Sequence, residues 1–224
     1  MIKLGLITYD IEHLKTEQLV SRYVKNEMVE KITLFALPFK NRKHRDVLIH
    51  HRPNMNDAIP TESLAELSKV SFCRWDGNQD VSKEADVFVI GGAGILDTGF
   101  AGGKPIVNAH PGIIPLTRGL DSFKWAIYHN VPIGNTLHLI DNEVDRGDIL
   151  DIQITPVFSS DTIDTVARRH YELEIEMLSN VLNVLDKRVV PAYAERPATM
   201  RMGRDIEVQM IANFEKWKKG ILKL

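Results

Sequence analysis

"KPIVNAHPGIIPLTRG", residues 104–119, runs from an apolar stretch into a stiff polar turn. Residues 104–110 read as a strand, since a short apolar run of this kind suits a sheet covered on both faces. Pro111 and Gly112 interrupt it, and Pro115 restricts the backbone beyond. On an extended chain alternate side chains point the same way, so Asn108 and His110 share one face at the strand's end. An amide next to an imidazole can polarise a carbonyl and hold the oxyanion formed on attack. The imidazole can also move a proton near neutral pH. By itself the pair is equally an ordinary loop feature.

Outward from this stretch, "IKLGLIT" (2–8), "KITLFALPF" (31–39) and "ADVFVIGG" (85–92) read as further buried strands. "IGNTLHLI" (133–140) and "DILDIQITPV" (148–157) alternate enough to pair, joined by the acidic "DNEVDRG". Helical spacing links Leu14, Gln18 or Leu19, Arg22 and Tyr23. A helix over 121–130 turns Phe123, Ala126 and Ile127 inward. Asp161 is expected to cap a long helix with the stripe Ile163, Ala167, Tyr171, Ile175, Leu178, Leu182, Leu185. Thr61 is expected to cap a short helix over 61–69, and residues 40–60 read mostly as loop. Strands alternating with helices predict an α/β fold: a mainly parallel twisted sheet flanked by helices. A domain over 1–190 is expected to carry a C-terminal extension, 191–224. In the extension a helix over 205–219 presents Ile206, Met210, Phe214 and Trp217 on one stripe, for its own domain or for a homodimer partner.

Ligands of such sheets bind beyond the carboxyl ends of the strands. Three predicted strand ends offer suitable groups: Asn108 with His110, the glycines Gly91, Gly92 and Gly94, and the loop with Asp141 and Asp145. A carboxylate such as Asp145 would orient the imidazole or take the proton lost by a nucleophile. No Ser or Cys nucleophile is suitably placed, which fits acyl transfer without a covalent enzyme intermediate.

The net charge of −2 gives no global attraction to nucleic acid or to an anionic membrane. The single cysteine, Cys73, excludes an intramolecular disulfide and a cysteine zinc cluster, and no metal is expected; a packed thiol is the reading for it. "MIKLGLITYD" is too short and too soon polar for a signal peptide, and no apolar run approaches the ~20 residues of a membrane helix. A cytoplasmic protein is expected.

"NAHPGIIPLTRG" (108–119), "GNTLH" (134–138) and "DRGDI" (145–149), in this order, resemble the formyltransferases that use N10-formyltetrahydrofolate. The resemblance spans about residues 85 to 155 and implies a Rossmann-like fold and roles residue by residue. Asn108 would hydrogen-bond the formyl oxygen, His110 would polarise it or shuttle the proton, and Asp145 would orient the His and accept the proton of the amine. The segment matching Phe88 to Leu96, with Ile90, Gly91, Gly92, Gly94 and Ile95, would line the pterin pocket largely through backbone groups. Ile140 and Asp141 would close its other side. His138 would support the catalytic carboxylate or pack in its strand.

Departures from the family's branches bear on the acceptor. Glycinamide ribonucleotide formyltransferases place a Gly-rich phosphate loop after the first strand, where this chain has "TYDIEHLK". The chain after the long helix is too short for the barrel domain of methionyl-tRNA formyltransferases, and its first strand starts at residue 2, without the regulatory domain of the deformylases. What remains resembles the sugar N-formyltransferases, which act on nucleotide-linked amino sugars for surface polysaccharides. Formyltetrahydrofolate hydrolysis and transfer to another small amine, such as glycinamide ribonucleotide, stand as alternatives. Arg118, Trp125, Lys40 and Arg42 are the candidate substrate contacts. The basic runs 40–45 and 50–52 would meet a diphosphate or nucleoside, or are a solvated loop face.

Overall fold

The computed structural model describes residues 1–40, 46–140 and 147–223. Five parallel strands come first: β1 (Ile2–Tyr9), β2 (Val29–Leu37), β3 (Val70–Arg74), β4 (Val87–Ile90) and β5 (Ile106–His110). Two more, β6 (Gly134–Leu139) and β7 (Ile149–Ile154), extend the sheet in antiparallel fashion. The order is β3-β2-β1-β4-β5-β6-β7. Connections therefore run outward in opposite directions from β1 and β4, and the crevice at that reversal is where an open α/β sheet receives ligands. The mainly parallel α/β arrangement expected from the sequence is present.

The helices are α1 (Leu14–Tyr23), α2 (Ser122–Tyr128), α3 (Ile163–Ser179) and α4 (Arg204–Ile221). On one sheet face Leu4, Leu6, Leu34, Val89 and Val107 pack under Leu19 and Val20 of α1 and Ile175 and Leu178 of α3. Tyr23 is fully buried there and donates its hydroxyl to the Leu178 carbonyl, tying α1 to α3. The other face carries an aromatic core of Phe35, Trp75, Phe88 and Phe100. A third core joins α2 to α4 through Phe123, Ile127, Met210, Phe214 and Trp217. The apolar stripe of the tail helix is thus used within its own chain, and Trp217 Nε1 donates to the Val131 carbonyl at 2.8 Å.

Several local expectations are corrected. Thr162, not Asp161, caps α3, in a reciprocal box with Thr165. Asp161 instead accepts from Thr165, Arg169 and the amide of Phe158, which leaves it no free geometry for the first turn. The helix ends at Ser179, so Leu182 and Leu185 fall beyond it, Leu182 in a short 3₁₀ turn. Residues Thr61–Glu66 form a 3₁₀ turn with Pro60 in the cap position, and the Thr61 hydroxyl donates to the Ile11 carbonyl at 2.5 Å. Strand β3 is unannounced by periodicity because it lies at the sheet edge with its residues half-covered or exposed. It carries Cys73, which is half-buried rather than packed away.

Candidate active site

Along β5 the side chains alternate. Val107 and Ala109 enter the core beneath α1 and α3, so Asn108 and His110 belong to the opposite face with Ile106. The antiparallel register sets Asn108 across from His138 and His110 across from Thr136. The amide–imidazole pair read from the sequence therefore shares a face at the carboxyl end of a strand beside the switch point.

The hydrogen bonds fix which atoms are presented. His138 Nδ1 lies 3.1 Å from the Leu139 carbonyl, which can only accept, so the proton sits on Nδ1. Its Nε2 then accepts from Asn108 Nδ2 at 3.2 Å, which orients the amide and leaves Asn108 a second N–H to give. His138 is thus a positioning partner of Asn108. At His110, Nε2 lies 2.8 Å from the Thr117 carbonyl and 3.2 Å from Ser122 Oγ. Ser122 spends its own proton on the Gly119 carbonyl, so both neighbours accept and Nε2 is a protonated nitrogen of the ring. Ser122 and Thr117 were not singled out by sequence; a small polar residue after Gly119 carries no signal of its own.

The turn after β5 is stitched to the sheet. Thr136 Oγ1 donates to the Gly112 carbonyl at 2.8 Å and accepts from the amide of Ile114 at 3.1 Å. The Ile113 amide reaches Thr117 Oγ1 at 2.8 Å, and the Ile114–Pro115 bond is cis. Gly112 has no room for a side chain: a Cβ there would meet the Thr117 carbonyl at 2.3 Å and His110 Nε2 at 2.7 Å. Gly112→Ala is therefore expected to displace the imidazole and to lower turnover by at least about 10-fold, since a misplacement of ~1 Å costs about 10²-fold. Wild-type turnover in this variant would show that the ring position is unimportant.

The predicted folate contacts are distributed unevenly. Phe88 is fully buried in the aromatic core, 5.2 Å from Phe100, so its side chain floors the pocket region rather than facing a ligand. Ile90 is buried too. The amides of Gly91 and Gly92 are both spent on the Ile7 carbonyl, at 2.8 and 3.0 Å, so any backbone contact these two residues make to a ligand falls to their carbonyls. Beyond them the chain opens. Gly94 has nothing within 4 Å of a would-be Cβ, and Ile95 is 95% exposed, with Leu96 half-buried. Ile140 is half-buried and its amide pairs with Ile106. An exposed apolar side chain beside an open glycine suits the flank of a flat aromatic ligand. Asp141, Asp145 and Arg42 lie outside the described residues.

The candidate substrate contacts fare differently. Arg118 is buried and bonds Glu195 at 2.6 Å and the Arg196 carbonyl at 3.2 Å, which commits it to holding the tail. Trp125 donates Nε1 to the Met200 carbonyl at 2.7 Å and stacks on His129, again a structural role. Lys40 is exposed. Tyr9 and His13, which the sequence reading passed over, sit against the glycine loop: a Cβ on Gly92 would meet His13 Cε1 at 2.7 Å and Tyr9 Cε2 at 2.9 Å. Burial, then Lys15 and Arg52, push His13 down to about 4, so it is neutral at physiological pH.

Fold and site together define a class: a doubly wound α/β protein presenting an amide and an imidazole at the end of its fifth strand. Residues 98–182 match the formyl transferase family. Over 85 residues the chain is 32% identical to the phosphoribosylglycinamide formyltransferase of Bacillus subtilis, a match covering 38% of this chain and 43% of that protein. The chain thus spans less than half the length of that relative. A 4-N formyltransferase from Francisella tularensis shares the fold with a TM-score of 0.62 at 16% identity, over 95% of this chain and 87% of that one. An N-formyltransferase from Helicobacter canadensis, solved with folinic acid and dTDP-3-aminofucose, matches with a TM-score of 0.59 at 14% identity, over 96% and 81%.

Proposed function

We propose that the chain transfers a formyl group from N10-formyltetrahydrofolate to the amino group of a nucleotide-linked amino sugar by direct attack of the amine. The observation that carries the reading is the Asn108–His138 pair, which aims a side-chain N–H outward beside His110 at the end of β5. The family match over 98–182 supports formyl transfer. The sugar N-formyltransferase folds among the neighbours, and the absence of glycine from "TYDIEHLK", support the choice of acceptor.

The exposed Ile95, open Gly94 and outward amide of Asn108 suit a pterin-bearing co-substrate, which when bound supplies an activated carbonyl carbon. Asn108 donates its second N–H to the carbonyl oxygen as that oxygen gains negative charge. His110, protonated at Nε2, uses Nδ1 to relay a proton from the attacking amine toward the departing nitrogen, and Asp145 is assigned the carboxylate role from its motif alone. Thr117 and Ser122 keep the ring from turning.

Incubating the protein with N10-formyltetrahydrofolate and a panel of nucleotide-linked amino sugars, with mass detection of the formylated product, tests the proposal. Formate release at full rate without any acceptor would instead establish hydrolysis.

A further inference from the structure

Residues 47–55 form no helix or strand, yet they are fastened to the body of the protein. The Leu48 amide donates to Glu207 at 2.9 Å, Arg52 reaches Glu174 at 2.7 Å, and the Met55 carbonyl accepts from Leu14. His51 stacks on Phe123 with the rings 5.6 Å apart and 3° from parallel. Between this segment and α2 lies a cavity of about 660 Å³, inside the ~300–1,000 Å³ range of small-molecule sites. Arg52, Lys124, Arg201, His50 and His51 line it, with Asp121 as the acid among them.

The cations are held in place before any ligand arrives. Glu174 and Glu207, each 1% exposed, sit behind Arg52 and Lys124. Arg201 lies in a tail segment docked on α2, where the Met202 amide donates to Asp121 at 3.0 Å and the Arg201–Asp121 separation is 3.9 Å. Burial, and then the charges of Arg52, Lys124, His170 and Arg201, push the His51 imidazole down to about 3. The cavity also adjoins the reaction centre: Ser122 touches His110, while its neighbours Asp121 and Lys124 line the cavity, all within one helical turn of about 5.4 Å.

We propose that this basin is the anion subsite of the acceptor, gripping the diphosphate of a nucleotide-linked substrate while its amine reaches the β5 pair. The inference rests on the formyl-transfer reading. Guanidinium forks suit phosphate oxygens, and two arginines and one lysine lining a preformed cavity supply charge-assisted bonds at little cost in side-chain freedom.

Pyrophosphate titrated into the full chain by calorimetry at low salt is the direct test, with folinic acid titrated separately. Saturable pyrophosphate binding is expected, weakened about tenfold or more by Arg201→Ala, abolished by Arg201→Glu, and untouched by Arg22→Ala, in the last turn of α1 and not among the cavity's lining residues. Arg201 is 39% exposed and, among the described residues, its ion pair is the long contact to Asp121, so these variants should fold. No saturable binding, or binding indifferent to Arg201→Glu, overturns the proposal. So does displacement of folinic acid by pyrophosphate, which would assign the basin to the carboxylate tail of the folate. A protein that binds pyrophosphate as described but ignores folinic acid would sink the formyl-transfer reading alone.

Discussion

Asn108→Ala is expected to lower kcat for formyl transfer by about 10²-fold or more while the protein stays folded. Removing one side-chain donor from an oxyanion site typically costs 10²–10³ in rate. Here the donor is oriented from behind: His138 is fixed as an acceptor by its own bond to the Leu139 carbonyl, and that takes one N–H of Asn108 and aims the other. Asn108→Asp keeps the shape and removes the donor, so it should be at least as damaging; equal activity in the two wild-type-like shapes would mean the amide acts only by bulk. Single-turnover transfer with the formyl donor in excess isolates the chemical step. Retention of more than about a third of the rate in both variants would remove Asn108 from the mechanism.

Glu174→Ala should give the largest loss of stability, about 3–5 kcal/mol, because it strands a buried cation. Glu174 sits on the core side of α3 at 1% exposure and receives Lys15 and Arg52, each at 2.7 Å. Lys15 is itself buried, and burial outweighs the carboxylate in lowering its pKa. For a chain of this size the loss corresponds to a fall in Tm of roughly 10 °C. The same group predicts a pH dependence. Burial opposes the charged carboxylate, but Arg52 and Lys15 together overcome it and draw Glu174 down from 4.5 to about 2. A depressed folded pKa gives stability that is complete above the unfolded value and lost as pH falls from about 4.5 toward 2. Urea midpoints of the two proteins should therefore differ widely at pH 7 and by clearly less at pH 3, with the difference still shrinking toward pH 2. A constant difference across that range would show that the carboxylate charge is not what Glu174 contributes.

These two residues also show what the sequence could and could not reveal. Asn108 was legible because strand periodicity and the Pro-Gly stop after His110 dictate a shared face without reference to the rest of the chain. The stripe of α3 was legible for the same kind of reason, down to Tyr171 and Ile175. Glu174, one position from that stripe, was not: a charged residue on a helix reads as solvated, and only the arrival of Lys15 and Arg52 from distant segments makes its burial tolerable. Lys124 and Glu207 are a second pair of this kind. The same blindness hid the basin by residues 47–55, whose order comes from bonds to α2, α3 and α4 rather than from local pattern. Arg118 and Trp125 differ again: both have the chemistry of substrate contacts, and the contacts they make to the segment from Glu195 to Met200 could not be read from the sequence.

A crystal structure with a stable N10-formyl folate analogue, whose formyl group sits on the nitrogen that would release it, addresses the central claim most directly. The formyl oxygen is predicted within about 3 Å of Asn108 Nδ2, with the pterin alongside Ile95 and Gly94. The analogue seated elsewhere, with Asn108 and His110 untouched, would contradict the account.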